Sequence, residues 1–359
     1  MKSISSILIV LLSFVAQGQS LNLDTETVIE EINVPWGIDW LPTGEMLITE
    51  RDGKLYKWKN GQLSLIQGVP KVVAQSQGGL MDIKVHPNYA KNGWIYLSYS
   101  KAMDDKLATT AVIRGKLEGN KLIELAEVFR AEPASTTRHH YGSRIIFNKQ
   151  GYLYVSVGDR GNRDENPQAL NNHCGKIHRM NDDGSVPSDN PFAGNPIVMQ
   201  TIYSYGHRNP QGLTVHPETG EIWEHEHGPQ GGDEVNIIRA KKNYGWPVIS
   251  YGINYNDTKF TDITEKEGME QPEIYWVPSI APSGMDFVTS DKYGALKGDL
   301  LVGSLKFGYL HRCDVEGNKI VKEEKLLEGL GRVRVIRQGP DGFVYLGVEG
   351  KGVLKLILK

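Results

Sequence analysis

Residues 149–159 read KQGYLYVSVGD, a turn built on a glycine followed by a short run crowded with aromatic and β-branched residues. A run of this length, bounded by turn signals, is a β-strand rather than a piece of helix. The same phrase returns five times, as Gly44-EMLITE, Gly93-WIYLSYS, Gly220-EIWEHE, Gly298-DLLVGS and Gly342-FVYLGVE. Successive glycines lie 49, 58, 69, 78 and 44 residues apart. Strand-rich units of roughly 40–50 residues, some lengthened by insertions, mark a β-propeller. The count predicts an all-β fold, a six-bladed β-propeller. Further strands follow at Lys54-LYKW, Lys176-IHRMN, Gly308-YLHRCDV and Gly352-VLKLIL. An early strand near Thr27-VIEEINV is placed to pair with the last blade and close the ring, which removes open sheet edges. A β-sandwich with coincidental turns is the alternative, and six phrases of one internal layout favour the propeller.

Composition agrees. Hydrophobic residues make up 39% and charged residues 23%, the balance of a globular protein, and glycine is high at 40 of 359. With a net charge of −3 and no basic stripe, nucleic acid is not an expected partner. The first residues, MKSISSILIVLLSFVAQGQS, have an early lysine, an apolar run and then small polar residues. This predicts a secretory signal peptide over residues 1–18, with cleavage near Ala16-Gln17-Gly18. The apolar run is too short for the ~20 residues of a membrane span. The mature chain, 19–359, is expected to be one propeller domain, periplasmic or secreted. Its two cysteines, Cys174 and Cys313, are far apart in sequence and read as two separate buried thiols as readily as a disulfide.

Polar residues concentrate beside the repeat strands. His139 and His140 precede the third, and either suits proton removal near neutral pH. Arg332 and Arg334 share one face of a strand; with Lys306 and Arg208 they suit a ligand carrying several carboxylates or phosphates. Surface salt bridges are the alternative. The loop from Tyr251 to Pro282 lacks periodicity and is a candidate wall for a binding pocket. EIWEHEHGPQGGDE, residues 221–234, has the composition of a zinc cage, but glycine and proline make it poor material for one. Calcium, which accepts backbone carbonyls in glycine-rich turns, fits better. No Walker, GxGxxG, GxSxG or HExxH motif is present.

Six motifs together resemble the soluble quinoprotein sugar dehydrogenases, which use pyrroloquinoline quinone (PQQ): HHYGSR (139–144), YGHRNPQGL (205–213), EHGPQGGDEVN (226–236), NYGWP (243–247), GSLK (303–306) and GRVRV (331–335). The compact length is more similar to the aldose sugar dehydrogenase branch than to the longer glucose enzyme. The resemblance implies a six-bladed propeller that oxidises aldoses at C1 to the lactone, with hydride transfer to PQQ and electrons passed to an external acceptor. His140 then matches the general base. Arg208 and Asn209 match the pair that contacts the quinone, Arg208 countering charge on its reacting oxygen. Lys306, Arg332 and Arg334 match the cations that hold the cofactor's carboxylates, and Gln77 and Tyr255 match positions lining the sugar site. One calcium would sit on the carbonyls of Gly228 and Pro229; a second, structural one would use those of Glu234 and Tyr244. The chain departs from the glucose enzyme at His139, which replaces an aspartate, and at His227, which replaces a glutamine. Broad aldose tolerance is therefore expected. The natural sugar, the acceptor and the choice between monomer and homodimer stay open. The other readings are a calcium-dependent propeller sugar lactonase and a non-catalytic binding propeller.

Overall fold

A computed structural model describes residues 22–359. The predicted signal peptide, residues 1–18, lies outside the described residues. No helix among them is long and apolar enough to cross a membrane.

Six four-stranded antiparallel sheets are arranged as the blades of a propeller. The repeated phrase supplies the second strand of every sheet: Met46–Glu50, Trp94–Ala102, Leu153–Val157, Ile222–Glu226, Leu300–Ser304 and Val344–Val348. Most of these strands are buried along their whole length, as in Leu153–Val157 and Val344–Val348, because each sheet packs a neighbour on both faces. That is why the phrase reads as an apolar run rather than a strict alternation. Clusters such as Leu47, Leu55, Leu80, Ile83, Ile95 and Leu97 fill the gap between the first and second sheets. The strands expected after the phrases all prove to be third strands, Gly352–Leu358 being the third strand of the last sheet.

The ring closes as expected but earlier in the chain. Leu23–Ile29 is the outer strand of the sixth sheet and pairs antiparallel with Gly352–Leu358, Leu23 opposite Leu358 and Thr27 opposite Leu354. Ile32 leaves the strand and is buried in the core beyond it. Cys174 and Cys313 are both buried and unpaired, which decides for separate thiols.

The six first strands face the central axis, and one guanidinium joins them. Arg144, at the mouth of Ile145–Phe147, is 2% exposed. Its Nε donates to Gln211 O at 2.7 Å in the fourth sheet, and its Nη1 to Trp36 O at 3.2 Å in the first. Nη2 donates to Arg334 O at 2.8 Å in the sixth and reaches Ser283 Oγ at 3.5 Å in the fifth. Nη1 also stands 3.7 Å from the buried carboxylate of Asp82 in the second. A single side chain from the third blade thus touches all five others. Arg144→Met strands those carbonyls and leaves Asp82 without its counter-charge; urea unfolding is expected to show a loss of about 3–5 kcal/mol.

Candidate active site

At the end of the ring where first strands begin and second strands finish, a cavity of about 760 Å³ opens. Gln77, Pro229, Tyr255, Lys306, Arg332 and Arg334 all line it, so six of the residues expected from sequence meet there. Tyr255 stands at the mouth, 73% exposed, on the long loop expected to form a wall. No carboxylate lines the cavity, whereas four cations do: Lys306, Arg332, Arg334 and Arg51, the last not anticipated from sequence. Glu349 bridges two of them, Oε2 accepting from Arg332 Nε at 2.7 Å and Oε1 from Arg334 Nη2 at 2.5 Å. The salt-bridge reading of the arginine pair therefore holds in part, but one carboxylate against four cations leaves the cavity strongly positive.

His140 adjoins the cavity through Gln77, whose Oε1 accepts from the His140 backbone N–H at 2.8 Å. Its Nδ1 lies 2.6 Å from Asp159 Oδ1. Asp159 is held in turn by Trp246 Nε1 at 2.9 Å and by Gly161 N at 2.8 Å. Burial first and the charge of Arg208 second push the His140 imidazole down to about 4, against the opposing pull of Asp159. Burial alone would raise the Asp159 carboxyl, but its contact with His140 and the nearby Arg208 hold it below its ordinary value. A neutral imidazole whose Nδ1–H is fixed by a carboxylate keeps the Nε2 lone pair free, the state a general base requires. His139 packs edge-on against His140, ring centroids 4.5 Å apart, and makes no contact of this kind.

Arg208 lies beside this pair. Its Nη1 donates to His227 O at 3.0 Å and to Gly228 O at 2.7 Å, one of the carbonyls expected to face calcium. A carbonyl has two lone pairs and can accept a cation as well. Asn209 is 1% exposed, and its Nδ2 has no partner among the described residues, so a buried donor near His140 is left for a ligand.

The acidic stretch 221–234 divides by strand alternation. His225 and His227 face the fifth sheet, where His227 Nε2 meets Pro282 O at 2.7 Å and His225 Nε2 meets Gly284 O at 3.3 Å. Glu224 and Glu226 face the other way and meet His207, Glu234 and Asn236. Both His207 nitrogens are engaged, by Ser204 Oγ at 2.9 Å and Glu226 Oε1 at 3.1 Å. Oxygen donors remain: Glu224 Oε1 and Asn236 Oδ1 are buried without partners. Burial and the neighbouring Glu226 push the Glu224 carboxyl well up, and Glu234 to about 8. Glu226, Gly228, Glu234 and Tyr244 also line a void of about 10 Å³, the size of one water or ion. Arg208 borders the void too, but the unpartnered ligand atoms here are oxygens, which suits a hard cation and not zinc.

Sequence reasoning missed Asp159, Glu349 and the side-chain role of Glu226, although each closes a repeat phrase. The same position holds Glu50, which accepts from Asn33 N at 2.9 Å, and Ser100, which accepts from Gly79 N at 2.8 Å. The polar residue closing each phrase, at or near the end of the second strand, anchors a nearby loop, a signal visible in the aligned repeats.

The family model for glucose/sorbosone dehydrogenases matches residues 32–356. The chain belongs to this family. It is 40% identical over 332 residues to the aldose sugar dehydrogenase YliI of Escherichia coli strain K12, covering 90% of this chain and 89% of that one. The crystal structure of the soluble aldose sugar dehydrogenase of Escherichia coli in its apo form superposes with a TM-score of 0.89 at 38% identity, covering 94% of this chain and all of that one. A PQQ-bound aldose sugar dehydrogenase from Streptomyces coelicolor has a TM-score of 0.76 at 27% identity, covering 94% and 98%. The match takes in every blade strand except the closing one, Leu23–Ile29, and the last two residues of Gly352–Leu358.

The His140–Asp159 pair gives a direct test. A chemical-shift titration of the His140 ring is expected to show a midpoint near 4 rather than the usual ~6.5. Asp159 raises the imidazole's affinity for a proton, so Asp159→Asn should move that midpoint lower still.

Proposed function

We propose that this protein oxidises aldose sugars at C1 to the lactone, using PQQ and calcium, and passes the electrons to an external acceptor. The observation that carries this reading is the cavity itself: four cations, one bridging carboxylate, and a neutral histidine–aspartate pair alongside. PQQ is a flat dione with three carboxylates, and four cations less one carboxylate leave three positive charges to meet them. The volume lies within the usual ~300–1,000 Å³ of a small-molecule site. A sugar lactonase would need carboxylates about a metal in the cavity, and none lines it.

Lys306, Arg332 and Arg334 would hold the cofactor's carboxylates, with Arg51 as a fourth cation. Arg208 and Asn209 would contact the quinone. The Gly228 and Pro229 carbonyls would take one calcium, and Glu234 and Tyr244 a second, structural one. When bound, the quinone supplies a two-electron sink and the calcium a Lewis acid. The chain's own part is acid–base and electrostatic. His140 Nε2 takes the proton of the sugar's anomeric hydroxyl while Asp159 keeps the ring in the right tautomer. Arg208 offsets negative charge beside it, and Gln77 and Tyr255 would line the sugar's path. Export to the periplasm or medium belongs to the same proposal.

The test is reconstitution. The purified chain, given PQQ, Ca²⁺ and a set of aldoses, should reduce a dye, and His140→Ala should cut kcat/KM by about 10²–10⁴-fold. As pH falls His140 gains a proton and ceases to be a base; its imidazole sits at about 4 in the protein alone and an anionic cofactor offsets Arg208, so the acid limb of kcat/KM should lie at about 4 or above it. Absence of quinone-dependent activity on every aldose would defeat the dehydrogenase reading; lactone hydrolysis without quinone would put the lactonase in its place. Chelation followed by gel filtration should abolish activity, and Ca²⁺ should restore it.

A further inference from the structure

Asp233 opens the third strand of the fourth sheet and is fully buried. Its Oδ1 accepts from Gly228 N at 2.8 Å and Ser279 Oγ at 3.0 Å. Its Oδ2 accepts from Ile280 N at 2.7 Å, Ala281 N at 2.9 Å and Ser279 Oγ at 2.7 Å. Burial raises this carboxyl to about 6, and these donors work against that. Four groups from two separate loops thus converge on one carboxylate inside the protein.

Each loop is a wall of the site. Gly228 begins the glycine–proline turn, and it approaches so closely that a Cβ there would fall 2.2 Å from Gly231 O. Pro278, Ser279 and Ala281 line the cavity. The second loop also carries the end of the strand that bears Lys306. Leu305 N donates to Ala281 O at 3.0 Å, Lys306 N to Ile280 O at 3.2 Å and Ser304 Oγ to Ile280 O at 2.9 Å. The route from the Gly228 turn to the Lys306 ammonium therefore runs through Asp233, although Asp233 itself does not line the cavity.

We propose that Asp233 is a positioning residue: it sets the spacing between the Gly228-Pro229 carbonyls and Lys306. This deepens the function proposed above and rests on it, because the two walls are those assigned to calcium and to a cofactor carboxylate. The group must be a carboxylate. Four N–H and O–H donors fill two oxygens that carry only lone pairs, whereas an asparagine would turn an N–H₂ against some of those donors. Asp233→Asn keeps the volume and removes the clamp.

The experiment compares Asp233→Asn and the milder Ser279→Ala with the wild type. It reads PQQ binding in Ca²⁺ by calorimetry, and hydrogen exchange at the amides of Leu305 and Lys306, which do not touch Asp233. Asp233→Asn should raise the PQQ Kd at least tenfold and speed exchange at those two amides, while the first sheet, Pro35–Ile66, keeps its protection. Ser279→Ala should move both in the same direction by less. A folded Asp233→Asn with wild-type Kd and exchange overturns the proposal. Should Asp233→Asn fail to fold, Ser279→Ala decides, and no change in either reading overturns it. Failure of the wild type to bind PQQ defeats the proposed function and this role together; binding by the wild type with indifferent variants defeats this role alone.

Discussion

The propeller depends on one buried charge at its axis. Six sheets that each bury both faces have no covalent reason to keep a common register, and apolar packing between them is not directional. Arg144 supplies direction: donors in fixed geometry reach carbonyls of three other blades, a hydroxyl of a fourth and a carboxylate of the fifth. The constraint extends to the site because Arg144 ends the segment that holds His140. Between them the backbone turns through positive φ at His140, Gly142 and Ser143. It lies so close to the next strand that a Cβ on Gly158 would fall 2.3 Å from His140 O. A residue fixed at the axis and a glycine beneath the loop leave His140 little freedom.

The same economy appears at the ends of the second strands. Each blade finishes its phrase with a polar side chain, and each uses it to fasten a loop. In the first blade Glu50 fastens Asn33 and accepts from Tyr56 within its own sheet. In the third, Asp159 fastens His140; in the fourth, Glu226 accepts from the Arg208 and Asn209 backbone amides; in the sixth, Glu349 gathers two arginines. The site is thus a repeated structural device to which different partners have been fitted, and it sits at one end of the ring because that is where the second strands finish.

This explains what could and could not be read from the chain. The six phrases were legible because burial on both faces demands apolar β-formers between turns at every repeat. The cations were legible because Arg332 and Arg334, two residues apart on a strand, must share a face. Asp159 was not, since nothing near it in sequence needs a carboxylate; its partner His140 lies 19 residues back and meets it only after the third sheet forms. Arg51 likewise joins the cavity only when blades one and six become neighbours. The stretch 221–234 was half legible. Its histidines do leave the metal question to oxygen ligands, but the meeting of Glu224 and Glu226 with Glu234 and Asn236 follows from strand pairing, Glu224 opposite Asn236 and Glu226 opposite Glu234.

The electrostatics of the site join its two halves. Burial favours the neutral form of His140, and the positive charge of Arg208 acts in the same direction. Asp159 pulls the other way and holds the ring's Nδ1 proton in place. An anionic group laid against Arg208 would offset part of its charge, and the imidazole would then gain affinity for a proton. A cationic lining and a buried neutral histidine are therefore compatible demands. The charge that would draw an anion also keeps His140 unprotonated, and an anion beside Arg208 would raise the affinity of that imidazole for a proton.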